Sequence, residues 1–261
     1  MLIFGLFMLH SCSPTLQIPA SGNTGLTGTA FYKIASTFNW KQRDSIFLDA
    51  FFRGNTPSSR LKLRPFKVVS TDSTGQLHKM KFFATTDYLS IGNNSNWARV
   101  PITPMAGQLV ADSLHCYLPT RKLADIIHEQ ARVKLDPIPM YAFRDSTVSM
   151  WQHHLMIEGQ RKGRNGVVSG IKKDIVLCSE DAMKGKPNRV AIYGWHLANN
   201  KPIQPLYTGH VNWYVDYSHG IRLIYRKMKV DGHWMDYSEM LENPELRKLV
   251  SDETGKLMNR Y

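Results

Sequence analysis

The chain has 261 residues, 43% of them hydrophobic, and 33 Lys plus Arg against 21 Asp plus Glu, a formal net charge of +12. That apolar content can bury a substantial core, which excludes a disordered chain and fits one large domain or two small ones. The cationic balance favours anionic partners such as phospholipid head groups or anionic glycan polymers, whereas the scatter of Lys and Arg along the chain, together with an export signal, argues against nucleic acid.

Residues 1–11 read as a signal peptide, because Leu2, Ile3, Phe4, Leu6, Phe7, Met8 and Leu9 form an apolar run too short to span a bilayer. Leu9-His10-Ser11-Cys12 resembles the lipobox of bacterial lipoproteins. The resemblance implies acylation of Cys12, a membrane partner through that anchor, and, with Ser13 following, an outer-membrane lipoprotein of the cell envelope facing the periplasm or the exterior. Residues 12–28 are uncharged and rich in Ser, Thr, Pro and Gly, and read as a flexible tether. Residues 29–261 read as a single domain, since no repeat is present and Asp136-Pro-Ile-Pro139 is the only break. With Cys12 acylated, Cys116 and Cys178 remain, as one disulfide or two buried thiols.

Phe31, Ile34, Ala35 and Phe38, then Ile46, Phe47, Ala50 and Phe51, recur at helical spacing before Gly54-Asn-Thr-Pro57. Pro65–Val69 and Leu77–Thr85 flank Asp72-Ser-Thr-Gly75 and predict a hairpin. Leu109, Val110 and Leu114 suggest a helix, Thr120 is the N-cap of another whose apolar face is Leu123, Ile126, Ile127 and Ala131, and a third is expected over Thr147–Arg161. Strand-like runs follow at Lys173–Leu177, Arg189–Trp195 and Val211–Val230, then a short helix near Pro244–Val250. The expected class is α+β, with N-terminal helices packed on a mainly antiparallel sheet built largely from the C-terminal half.

Chemistry concentrates in the last third, where His196, His210, His219 and His233 fall. As an extended strand, Val211–Leu223 would put Val211, Trp213, Val215, Tyr217 and Ile221 on a core face and Tyr214, Asp216, Ser218 and Arg222 on a polar face, with a bulge at Gly220 re-aiming His219. Three arrangements follow: Ser218 as nucleophile with Asp216 and a His, a metal held by His196, His210, Asp216 and His219, or a scaffold of mutually satisfied groups. Lys172, Lys173 and Asp174 are costly to bury alone and are expected at the mouth of a site or at a solvated strand end. Tyr193, Trp195, Tyr207, Trp213, Tyr214 and Tyr217 offer surfaces for sugar rings or filling for a core. His154 and Glu158, four apart on a helix, read as an exposed pair or as two contacts to a ligand.

Gly54-Asn-Thr-Pro57, Leu118-Pro-Thr-Arg-Lys122, Lys172-Lys-Asp174, Ile192-Tyr-Gly-Trp-His196, Ile203-Gln-Pro-Leu-Tyr207 and Tyr217-Ser-His-Gly220 together resemble a family of secreted bacterial proteins that carries no activity over; its pattern has His where this chain has Ile171. Ser218-His-Gly-Ile-Arg222 is similar to the S-H-G-C-x-R box of L,D-transpeptidases, with Ile221 at the place of the nucleophilic cysteine. The expectation is a lipid-anchored hydrolase of glycan or peptidoglycan-like polymer, or else a non-catalytic glycan- or envelope-binding lipoprotein. His196, His210, Asp216, Ser218 and His219 are its catalytic candidates, and Lys173, Asp174, Tyr193, Trp195, Tyr214 and Arg222 its substrate contacts, with no cofactor or metal specified.

Overall fold

The computed structural model describes residues 14–18 and 25–261, so the leader and Cys12 lie outside the described residues. Helix α1 (Gly28–Ile34) is capped by Thr27, whose hydroxyl accepts from Ala30 N, and α2 (Trp40–Phe52) opens with a reciprocal Asn39/Gln42 capping box. Strands β1 (Leu63–Thr71) and β2 (Leu77–Thr85) form the expected hairpin; β3 (Ser90–Gly92) and β4 (Trp97–Arg99) form a small one. Then come α3 (Pro104–Ser113), β5 (Cys116–Tyr117), α4 (Arg121–Gln130), β6 (Val133–Lys134), α5 (Thr147–Arg161), β7 (Val168–Ser169) and β8 (Lys173–Ile175). The rest is α6 (Glu180–Met183), β9 (Ile192–His196), β10 (Pro202–Tyr207), β11 (His219–Gly220), β12 (Ile224–Tyr225), β13 (Lys227–Val230), β14 (His233–Asp236), α7 (Tyr237–Glu242) and α8 (Arg247–Val250).

The class is α+β, as expected. A six-stranded antiparallel sheet runs β14-β13-β2-β12-β5, with β1 on the other edge of β2. A four-stranded sheet runs β10-β9-β8-β11, in which only β8 and β11 are parallel. Strands after residue 160 supply all four strands of the smaller sheet and three of the six in the larger one, whose central strand is β2. Helix α4 packs on β9 and on β1, and so joins the two sheets. One continuous core cluster runs from Phe31, Phe47 and Phe51 through Phe66 and Phe82 to Ile175, Leu177 and Ile192.

Two readings of the sequence change here, and a third, left open between a disulfide and two buried thiols, is decided for the thiols. Leu16, Ile18 and Leu26 pack against the main core, so the described part of residues 12–28 is docked on the domain, drawn there by apolar side chains that the Ser/Thr/Pro/Gly background obscured. Cys116 and Cys178 are two free buried thiols; burial pushes both thiols up, Cys178 to about 12. Most consequentially, Val211–Ser218 is not a strand. The Asp216 carboxylate accepts from Ser218 N at 2.8 Å, the His219 amide donates to Asp216 O at 3.1 Å, and that of Tyr214 to Val211 O at 3.0 Å. A side chain that captures the backbone amide two residues on turns the chain locally and competes with ladder pairing. The expected alternation therefore fails: Trp213 is 43% exposed, while Asp216 and Ser218 are wholly buried.

Candidate functional site

The turns of 211–218 feed directly into β11, which pairs in parallel with β8 so that His219 lies opposite Lys173 and Gly220 opposite Asp174. Lys173 in turn lies opposite Gly194 of β9. Consecutive strand residues face opposite sides, so Lys173 and Asp174 serve two different clusters, one on each face of the four-stranded sheet.

The first cluster gathers His210, Tyr214, Asp216, Ser218, His219, Lys173 and Trp195. His210 stands 5.8 Å, ring centre to ring centre, from His219 and 4.6 Å from Tyr214, whose ring lies 6.1 Å from His219. Asp216 is held on all sides: Ser218 Oγ donates to its Oδ1 at 2.5 Å, and Arg144 of the 136–146 segment pairs with its Oδ2 at 3.0 Å. His219 Nε2 is 3.8 Å from Asp216 Oδ1. Among the described residues neither ring nitrogen of His219 has a hydrogen-bond partner, although the ring is fully buried. The Trp195 indole lies under the Lys173 ammonium at 4.9 Å, and its Nε1 is also unpartnered. Trp195 is placed there by a left-handed backbone, φ 55, following Gly194 at φ 105, a conformation that costs a non-glycine residue about 1–3 kcal/mol.

The electrostatics follow from burial. It works against the charge of Asp216, but His219, the Ser218 hydroxyl and amide, and Lys173 outweigh it and bring the carboxyl down to about 2. Burial brings His219 down to about 4 in spite of Asp216, and it also lowers His210 and Lys173. Tyr214 is pushed up to about 12 by burial and by the Asp216 charge. At neutral pH the cluster is thus an ionised carboxylate beside two neutral imidazoles.

Tyr214 also lines a hollow of about 440 Å³ together with Phe38, Trp40, Arg43, Asp145 and Trp213. The 136–146 segment borders the cluster: Tyr217 accepts from Met140 N at 2.6 Å, donates to Met140 O at 3.1 Å, and through its own amide donates to Arg144 O at 2.9 Å. Tyr141 and Phe143 on that segment are 90% and 82% exposed.

His196 belongs to the second cluster. Its Nε2 meets Asp125 Oδ1 at 2.7 Å, Tyr193 Oη donates to the same carboxylate at 2.8 Å, and the ring stacks on His128 at 4.5 Å. His128 is satisfied by Ser169 Oγ and Leu197 O, both at 3.1 Å. Asp174 accepts from Tyr88 Oη at 3.1 Å, and burial raises its carboxyl to about 6 despite the opposing charge of Arg222. Arg222 is bound to Thr85 O and Val168 O at 2.7 and 2.6 Å and stacked on Tyr88 at 4.4 Å, which makes it a buried strut between three segments of the fold.

Several sequence expectations are corrected by these positions. Ser218 bonds a carboxylate and no imidazole, so it lacks the adjacent base that a serine nucleophile requires. Among the described residues no three His, Cys, Asp or Glu side chains converge as metal ligands, and His196 makes its polar contacts away from His210 and His219. Lys172, Lys173 and Asp174 are buried at 2%, 6% and 5% exposure, not at a mouth; Lys172, brought down to about 7 by burial and Arg99, is bound to Tyr217 O and to His153 Nδ1. His154 is buried between Trp97 and Trp151, and Glu158 is taken by Arg99 and Arg161 at 2.9 and 3.3 Å, so the two are not an exposed pair. Ile221 points into the core, where it meets Gly107 of α3, so the place of the transpeptidase cysteine is not a site position here. Asp125, His128 and Arg144 were missed: the first two sit on a helix whose apolar face marked it as packing, and Arg144 sits in a segment with no periodicity. His128 in the last turn of α4 was the one available signal.

No protein-family model, curated protein or solved structure matches the chain. Among the described residues no helix is long and apolar enough to cross a membrane.

Proposed function

We propose that the chain is an exported, lipid-anchored envelope protein whose domain hydrolyses glycan or peptidoglycan-like polymer, with His210 and His219 as the acid–base pair and Asp216 as their electrostatic partner. The observation that carries this reading is the His219 ring: fully buried, 3.8 Å from an ionised carboxylate, with both nitrogens unpartnered. A structural histidine is normally hydrogen-bonded, as His128 is, and an unpaired buried polar group costs about 1–3 kcal/mol. Perturbed groups held unsatisfied side by side are characteristic of reacting centres. His210 is the half-exposed imidazole through which substrate would be met; neutral, it accepts a proton from the attacking water as the scissile bond of the polymer breaks, and the imidazolium so formed returns that proton to the leaving group. Trp40, Trp213 and Tyr214 give the adjoining hollow the flat apolar surfaces on which sugar rings stack. The location and the Cys12 anchor rest on the leader alone.

The test is incubation of the purified protein with isolated peptidoglycan, scored for soluble fragments. Wild-type release that is lost in His210→Ala and His219→Ala, with polymer binding retained, supports the hydrolase. The burial of Asp216, Ser218 and His219 favours a second reading, a non-catalytic glycan binder in which those groups only shape the hollow. Retention on the polymer with no fragment released, and binding lost in Trp213→Ala, would establish that reading instead.

A further inference from the structure

The outward face of the six-stranded sheet carries a row of cations that the fold does not neutralise. Lys67 of β1 lies opposite Lys81 of β2, Lys81 opposite Lys229 of β13, and Lys229 opposite Trp234 of β14. Lys79, opposite Val69, shares this face by the two-residue period of a strand, and so does Leu77. Like charges directly opposite one another destabilise a sheet. Among the described residues none of these four ammonium groups forms an ion pair, whereas neighbouring Lys227 reaches Asp236 at 3.4 Å. Lys81 and Lys229 lie instead over aromatic rings, 5.7 Å from Phe83 and 4.9 Å from Trp234, and those two rings stack at 5.9 Å. The four lysines line a shallow hollow of about 420 Å³ with Val68, Val69 and Met80. Around it Leu77, Val69 and Trp234 are 66%, 61% and 48% exposed.

We propose that this face docks on an anionic lipid bilayer, independently of the polymer-directed site and of any acyl chain at Cys12. Lysines beside an anionic leaflet are attracted to it, tryptophan settles at the level of the head groups, and exposed aliphatic side chains gain by entering the boundary with the acyl chains. The aliphatic pair decides the occupant. A polyanionic glycan would use the lysines and Trp234 but would gain nothing from Leu77 and Val69, whereas a bilayer uses all of them. The docked domain would lie with β1, β2, β13 and β14 against the surface.

The experiment is co-sedimentation of the chain from residue 12, carrying Cys12→Ser to prevent acylation, with phosphatidylcholine vesicles with and without phosphatidylglycerol. Retention is expected only with phosphatidylglycerol and should fall with added salt. Lys81→Ser with Lys229→Ser should weaken it about 25-fold, at about fivefold per lysine, and Leu77→Ser with Val69→Ser should weaken it without changing the salt dependence. All four positions are on the outer face, and an unchanged thermal transition verifies folding. Absence of binding to phosphatidylglycerol vesicles, or binding undiminished in the lysine pair, overturns the proposal. So does vesicle binding indifferent to Leu77→Ser with Val69→Ser alongside equal retention on dextran sulfate, which would make the face a general polyanion surface.

Discussion

Asp216 Oδ1 lies 2.5 Å from the hydroxyl oxygen of Ser218 and 3.8 Å from Nε2 of His219, so the carboxylate is bonded to the serine and only near the imidazole. This order inverts the one expected of a nucleophilic serine, in which the imidazole stands between hydroxyl and carboxylate. Ser218 here fixes the carboxylate, and its substitution should be felt far less than that of either histidine.

Ser218→Ala should therefore retain polymer hydrolysis within about tenfold, while His219→Ala lowers it by about 10²–10⁴, the usual contribution of a general acid or base. Fragment release from peptidoglycan, measured for both variants at equal protein, is the check; complete loss in Ser218→Ala with a normal thermal transition would make the serine the reacting group.

Acid should unfold the protein earlier than its carboxylates alone require. Burial holds His219 at about 4, and His128 at about 4 with help from His196, both below the ordinary 6.5. The folded values are depressed, so as pH falls through 6.5 the unfolded chain takes up protons that the folded chain refuses, and stability is lost down to about pH 4. For the fully buried His219 the loss over that window approaches about 3 kcal/mol. Asp174 acts in the other direction: raised to about 6, it contributes stability below its unfolded value, and that contribution is lost as pH rises through 6. Urea denaturation across pH should show a shallower acid limb in His219→Asn and a gain above pH 6 in Asp174→Asn. Curves parallel to wild type in both variants would contradict the burial of charge on which this reasoning depends.

A Cβ added at Gly107 would stand 2.0 Å from Cδ1 of Ile221. Gly107→Ala gains about 1 kcal/mol of helix propensity but overpacks the core, and a net loss of about 1–2 kcal/mol is expected. Ile221→Val removes the offending methyl at a cost of about 1 kcal/mol. The double variant should be more stable than the sum of the two single losses, as expected for residues in direct contact. Additive losses in thermal denaturation would show that α3 and the chain after β11 do not meet as described.

Tyr217→Phe deletes the hydroxyl that clamps Met140 N and O. Losing both bonds should cost about 1–3 kcal/mol, and the effect should be local, because the 136–146 segment is otherwise exposed at Tyr141 and Phe143. Limited proteolysis with chymotrypsin should cut within that segment faster in the variant, before any fall in the global transition. An unchanged cutting rate would mean that other contacts hold the segment.

Periodicity and capping alone located α4, whose start at Thr120 is sealed by the hydroxyl accepting from Leu123 N at 3.3 Å, as well as the β1–β2 hairpin and α5 over Thr147–Arg161. These elements owe their form to contacts between residues close in the chain, which a single sequence displays directly. The site was different. His210, Asp216, Ser218 and His219 stand out in the sequence, whereas Arg144 does not, and alternation assigns 211–218 the wrong backbone because it is blind to one carboxylate diverting the amide two residues on. The division of the histidines was also hidden: His196 went to Asp125, 71 positions away, while His210 and His219 stayed together. Pairings over such distances arise from which strand lies beside which, and only packing of the two sheets across α4 settles that.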